Sequence, residues 1–165
     1  MTKNLQTFRD QIDRIDNNLI MLLEQRIKIA KEIGNTKKDN SFIKPAREQE
    51  IMQKLMKTKG VFPKPVLIAI WRKIITASLM IQTDFKIGIF CPNKYQESIL
   101  ILNDHFGSFV KIKKYNDISK LTTDLKNQKI TIGFLEKEEY SRISKNSDLK
   151  VLNKINNFVI IDSSK

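Results

Sequence analysis

LQTFRDQIDRIDNNLIMLLEQRIKIAKEIGNTKK, residues 5–38, decides the fold. Leu5, Phe8, Ile12, Ile15, Leu19, Leu22, Arg26, Ile29 and Ile33 follow one another in alternating steps of three and four. That spacing is a heptad seam and predicts one helix from about Leu5 to about Lys38. A helix of about 34 residues is about 50 Å long at 1.5 Å per residue. A chain of 165 residues cannot cover such a helix alone. Pairing with a second copy is therefore expected, as an obligate homodimer.

Two shorter helices follow. Ser41 to Lys44 reads as a turn, and Pro45 suits a first helical position, with Ile51, Leu55 and Met56 turned inward before Lys57. Gly60 and Pro63 end that helix. Pro65 opens a third, running to about Gln82, with Leu67, Ile70, Trp71, Ile74, Ile75, Ser78 and Ile81 on or near its inner face. After Thr83 the period changes. Ile87–Phe90, Phe109–Ile112 and Ile130–Phe134 read as strands, separated by helical patterns over Tyr95–His105 and Asp117–Gln128, and 157–162 reads as a last strand. The expectation is a three-helix domain over 1–83 and a small βαβαβ domain over 84–165 with a mostly parallel sheet and right-handed crossovers.

Composition narrows the partners. Lys and Arg number 30 against 18 Asp and Glu, a formal charge of +12. No run of five basic residues occurs and the aromatics do not interleave with Lys and Arg, so nucleic acid is not the expected partner. Such a binder would show strong, salt-sensitive affinity. One cysteine forms no internal disulfide, and one histidine with one cysteine makes no His/Cys metal cluster. The start, MTKNLQTFRD, lacks an apolar run, so no signal peptide is expected. Val66 to Ile81, broken by Arg72-Lys73, reads as too short to span a bilayer. A soluble, cytoplasmic protein without a membrane partner is the expectation.

Arginine is scarce, and Arg is the residue for a bidentate grip on carboxylate or phosphate. Arg26 sits in the seam where its neighbours in the series are apolar, so it should have a carboxylate partner; an internal salt bridge or a polar register-setter is the plain alternative. Lys37 lies eleven residues on, close to the same face. Arg9 lies seventeen residues before Arg26, rotated by about 260° and about 25 Å away along the axis. It cannot join Arg26 within one helix, but in an antiparallel dimer it could join the partner's set. Arg47-Glu48 opens the second helix, and Ser78 with Gln82 forms an i,i+4 pair on the third. A Cys91–His105 dyad would need adjacency across a sheet edge and is not expected.

Leu5-x-x-x-Arg9-x-x-Ile12-Asp13-x-x-Asp16-x-x-Leu19, Leu22-Leu23-x-x-Arg26, Ile33-Gly34-x-x-Lys37, Pro45-Ala46-Arg47-Glu48 and Ser78-x-x-x-Gln82 closely resemble the all-helical class of chorismate mutases. The resemblance covers Thr2 to Thr83. It implies an intertwined three-helix dimer that rearranges chorismate to prephenate without a cofactor or metal. By the same resemblance Arg26 grips one substrate carboxylate within its own subunit, and Arg9 reaches the other from the partner subunit. Lys37 and Gln82 match the pair at the ether oxygen, Glu48 the residue at the ring hydroxyl, and Arg47 and Ser78 further carboxylate contacts. One departure is Lys44, where some relatives carry an aspartate. A pericyclic step needs no acid, base or nucleophile, only a compact conformer and a stabilised ether oxygen.

The second part resembles the first lobe of prephenate dehydratase at Phe90-Cys91-Pro92 and Ile132-Gly133-Phe134-Leu135-Glu136. It departs at Lys94, where a glycine is expected, and at Ile155-Asn156-Asn157-Phe158, which stands in place of Thr-Arg-Arg-Phe. The expectation is a remnant without dehydratase activity. Isochorismate pyruvate lyase, of the same fold, and a non-catalytic regulatory helical module are the alternatives for the first part.

Overall fold

The computed structural model describes residues 4–36, 43–143 and 149–163. Lys37 and part of the expected turn at Ser41–Lys44 lie outside them. Helix α1 spans Leu5–Thr36, α2 Pro45–Lys57 and α3 Lys64–Gln82. Pro45 occupies the first turn of α2, where its missing N–H costs nothing. Glu48 in that turn and Lys54 and Lys57 in the last complement the helix dipole. Pro63 caps α3 and Pro65 lies in its first turn.

Only the C-terminal third of α1 is covered. Ala30 is buried, Arg26, Ile27 and Gly34 are half-buried, and residues 4–25 are exposed throughout. The heptad seam therefore stands open in the single chain, with Phe8, Ile12, Ile15, Leu19 and Leu22 all 46–60% exposed. In α2, Leu55 is buried as expected, but Met56 points outward. In α3, Ile70 and Ile81 are exposed, whereas Thr76, Ser78 and Leu79 are buried. The reason is that α3 has more than one neighbour, packing on α1, α2 and α4. By length and apolar composition alone α3 would also suit a membrane span, against the sequence-based expectation.

Beyond Thr83 come β1 (Lys86–Phe90), α4 (Tyr95–His105), β2 (Lys111–Lys114), α5 (Ile118–Lys126), β3 (Ile132–Glu136), α6 (Lys137–Ile143), β4 (Leu149–Ile155) and β5 (Phe158–Ser163). Helix α4 has the expected bounds. Asp117 caps α5, its carboxylate accepting from the Ser119 N–H at 2.8 Å. The strand expected at Phe109–Ile112 lies two residues later, because Phe109 is exposed while Gly107 (φ 103°) still turns the chain.

The sheet order is β2-β1-β3-β5-β4. Pairs β1–β2 and β1–β3 are parallel, whereas β3–β5 and β4–β5 are antiparallel. It is a mixed sheet rather than a mostly parallel one. The cause is a hairpin: β4 and β5 are joined by Asn156-Asn157, with Asn156 at φ 51°, a conformation asparagine tolerates in a tight turn. Side chains alternate across the sheet. Ile87, Ile89, Phe134, Phe158 and Ile160 pack with Leu102 of α4 and Phe106 just beyond it on one face. Leu135, Val159 and Ile161 pack with Leu121 and Leu125 of α5 on the other. Leu79 of α3 joins the first cluster beside Phe85, so the third helix and the sheet share a core.

Candidate active site

A cleft of about 540 Å³ opens between the C-terminal third of α1, the start of α2 and the end of α3. Arg26, Lys44, Arg47, Glu48, Ser78 and Gln82 line it, with Ile29, Ala30, Ile33, Ile51 and Leu79 as apolar wall. Five of the seven polar residues expected at the site, Arg26, Arg47, Glu48, Ser78 and Gln82, thus converge, with Lys44 beside them. Arg9 does not line the cleft, which agrees with its separation along α1. Lys37 lies outside the described residues.

Arg26 is anchored from α3. Its Nη1 donates to Ser78 Oγ and approaches the Ile74 carbonyl at 3.4 Å. Ser78 Oγ donates in turn to the same carbonyl at 2.9 Å, which fixes the hydroxyl lone pairs toward the guanidinium. These partners are neutral, so the expected carboxylate partner for Arg26 is not found among the described residues. The guanidinium is half-buried at the cleft wall and does not need a protein anion to stay hydrated. Burial lowers its affinity for the proton, though arginine stays charged. Gln82 Nε2 donates to the Ser78 carbonyl at 3.1 Å. Arg47, at the rim, pairs with Glu50 at 2.8 Å, and both side chains are largely exposed. It can swing into the cleft at little cost, since exposed pairs contribute little.

Glu48 faces a second cavity as well. That cavity, about 390 Å³, lies at the seam where α2 and α3 meet α4 and the sheet, and Arg72, Thr76, His105 and Asn153 line it with Glu48. His105 Nε2 stands 3.7 Å from Glu48 Oε1. Burial raises the Glu48 carboxyl above its ordinary value, and the Arg72 cation opposes that rise. Burial, with Arg72 and Lys73 nearby, lowers His105 to about 4, so the imidazole is neutral at neutral pH. Sequence reasoning passed over Arg72 and His105 as partners of Glu48. The available signal was the charged pair Arg72-Lys73 interrupting an otherwise apolar helix.

In the sheet, the carboxyl ends of β1 and β3 flank a switch point, because α4 and α5 cover opposite faces. Open α/β sheets bind ligands at such a point. Here the chain's own Glu136 occupies it: the buried carboxylate accepts from the N–H groups of Asn93 at 3.0 Å and Lys94 at 3.2 Å. Cys91 Sγ contacts the Phe134 carbonyl at 3.8 Å, and burial pushes the thiol up to about 12. His105 meets Glu48 instead, so the two residues do not form a dyad.

The fold and cleft define a helical module with a cation-lined cavity, followed by a small mixed α/β unit. Residues 8–83 match the family model described as chorismate mutase type II, which bears out the resemblance read from the sequence. The chain is also 39% identical over 97 residues to a bifunctional chorismate mutase/prephenate dehydratase of Aquifex aeolicus (strain VF5). The match covers 54% of this chain and 27% of that relative, so the chain spans about a quarter of the relative's length. No solved structure gives a significant match.

Proposed function

We propose that the protein is a chorismate mutase that rearranges chorismate to prephenate in aromatic amino-acid biosynthesis. The observation that carries this reading is Arg26. It is a half-buried guanidinium held by Ser78 and Ile74, facing a cleft in which no carboxylate among the described residues pairs with it. A dianionic substrate supplies the missing charge. Within the bound dianion the ether C–O bond breaks as a new C–C bond forms, in one cyclic shift of electrons with no proton transferred. The cleft has then two tasks: to hold the compact conformer, and to donate to the ether oxygen as negative charge develops there.

In this scheme Arg26, with Ser78 and Arg47 at the rim, grips one carboxylate and Glu48 accepts from the ring hydroxyl. The Gln82 amide and the Lys37 ammonium donate to the ether oxygen, and neither a cofactor nor a metal takes part. The open seam of α1 favours a homodimer, in which a second copy covers Phe8 to Leu22 and brings its Arg9 to the cleft; the cytoplasm is the compartment we propose. Burying an exposed seam of large apolar side chains contributes about 25 cal/mol per Å². We assign 1–83 as the mutase domain and 84–165 as a dehydratase-like remnant without that activity, since Glu136 fills the switch point and Asn156-Asn157 form a turn where the catalytic motif would stand.

The deciding experiment follows chorismate disappearance with purified protein in EDTA, and isochorismate alongside it. Turnover of chorismate to prephenate is the expected result. A rate no faster than the spontaneous one rejects the reading, and pyruvate released from isochorismate alone would turn it to the lyase.

A further inference from the structure

Among the described residues, Glu48 is the one polar residue of the cleft that also lines the seam cavity between the helices and the α/β unit. We propose that Arg72 and His105 are positioning residues for Glu48, so that the seam between α3 and the α/β unit sets the placement and charge of a carboxylate in the mutase cleft. The inference rests on the mutase reading and gives the second part of the chain a task in it.

The geometry is specific. Arg72 lies on α3 and its Nε is buried without a hydrogen-bond partner. A buried unpaired N–H is costly, so a plain packing role would favour an apolar residue here. What Arg72 does supply is positive charge beside Glu48. The next residue, Lys73, donates through Nζ to the carbonyls of Asn103, at 2.9 Å, and Asp104. These belong to the last turn of α4, where the Asn103 carbonyl also accepts from the Gly107 N–H at 3.0 Å, so Lys73 ties that end to α3. His105 closes the same turn, its ring edge-on to Phe106 at 4.6 Å. Arg72 and His105 therefore reach Glu48 as one tethered unit.

Their contributions differ. The charged or titratable groups lining the cavities at Glu48 are Arg26 from α1, Lys44 and Arg47 around the start of α2, Arg72 from α3 and His105 from α4. His105 is neutral at neutral pH and its Nε2, 3.7 Å from Glu48, stands beyond hydrogen-bond distance, so it offers a polar wall but no charge. Arg72 offers the charge. Burial favours the protonated Glu48 carboxyl, and a protonated carboxyl is a poorer acceptor for a substrate hydroxyl.

The test uses the full chain as Arg72→Met, Arg72→Lys, His105→Leu and His105→Gln. Two readouts are taken: carboxyl carbon NMR titration of Glu48, assigned with Glu48→Gln, and the pH profile of kcat/KM for chorismate. Arg72→Met should raise the Glu48 midpoint by about one unit, as loss of an opposite charge does, and His105→Leu by less, as a more apolar wall does. The acid limb of kcat/KM should move by the same amounts, with Arg72→Lys and His105→Gln close to wild type. If Arg72→Met does not fold, His105→Leu decides alone. An unchanged Glu48 titration in folded variants, with wild-type turnover intact, overturns the inference and leaves the mutase reading standing. A moved titration in a wild type that does not turn over chorismate rejects the mutase reading instead.

Discussion

A Cβ placed on Gly34 would stand 2.9 Å from Cγ and 3.2 Å from Cβ of Gln82. Glycine is what lets α1 touch α3 at the residue proposed to face the ether oxygen. Alanine gains up to about 1 kcal/mol of helix propensity at such a position, but here it displaces the stem of Gln82. Gly34→Ala should therefore lower kcat by about tenfold or more, since small misplacements at a reacting centre are costly, while the melting temperature changes little. A wild-type rate in steady-state assays would show that Gln82 is not set by this contact.

Arg26→Ala removes the anchored guanidinium and should reduce kcat/KM by about 10²-fold or more. Arg9→Ala should do the same through a different chain. Mixed, refolded heterodimers of the two variants should regain part of the activity, because one of their two clefts is complete. Heterodimers shown by mass spectrometry to form, yet inactive, would remove Arg9 from the partner's cleft.

The amide of Gln82 donates at any ordinary pH, whereas a carboxyl donates only when protonated. Gln82→Glu should be impaired at neutral pH and recover on acidification. Rates from about pH 4.5 to 8 for both proteins settle it; parallel profiles would mean that residue 82 does not touch the reacting oxygen.

His105 gives stability a pH dependence. Its folded value, about 4, lies below the ordinary 6.5. Between the two the unfolded chain binds more protons, so stability is full above about pH 6.5 and falls as pH drops toward 4, by up to about 3 kcal/mol. The raised Glu48 carboxyl opposes this at the acid end, because it takes up its proton sooner in the folded chain. Urea melts from pH 4.5 to 7.5 should show the slope, and His105→Phe should flatten it. An equal slope in the variant would assign the acid sensitivity elsewhere.

Cys91 should be inert while the chain is folded. Its thiol is buried beside the Phe134 carbonyl and pushed up to about 12, so almost no thiolate forms at pH 8. A thiol-specific chromogenic reagent should titrate no fast-reacting group natively and one after unfolding in guanidinium. Rapid native labelling would contradict the burial.

What could be read from the chain alone was whatever local period and spacing control. The alternating steps from Leu5 to Ile33 specify α1, and Pro45, Gly60 and Pro65 punctuate the next helices, because backbone limits at proline and glycine act within a turn. Apolar runs placed β1 and β3, and the polar positions from Arg9 to Gln82 carried the family resemblance. What needed the tertiary structure was whatever depends on partners distant in sequence. The last strand was legible, but β4 and its hairpin with β5 escaped because Lys150, Asn153 and Lys154 dilute the alternation of β4, and the direction of β5 follows from a turn at Asn156 rather than from the strands. Arg26 reads as wanting a carboxylate, yet Ser78, 52 residues away, holds it. Glu48 reads as an ordinary helix start until α4 brings His105 to 3.7 Å. Hydrogen bonds and charge act over a few ångströms in space, and no spacing along the chain encodes which distant residue will arrive there.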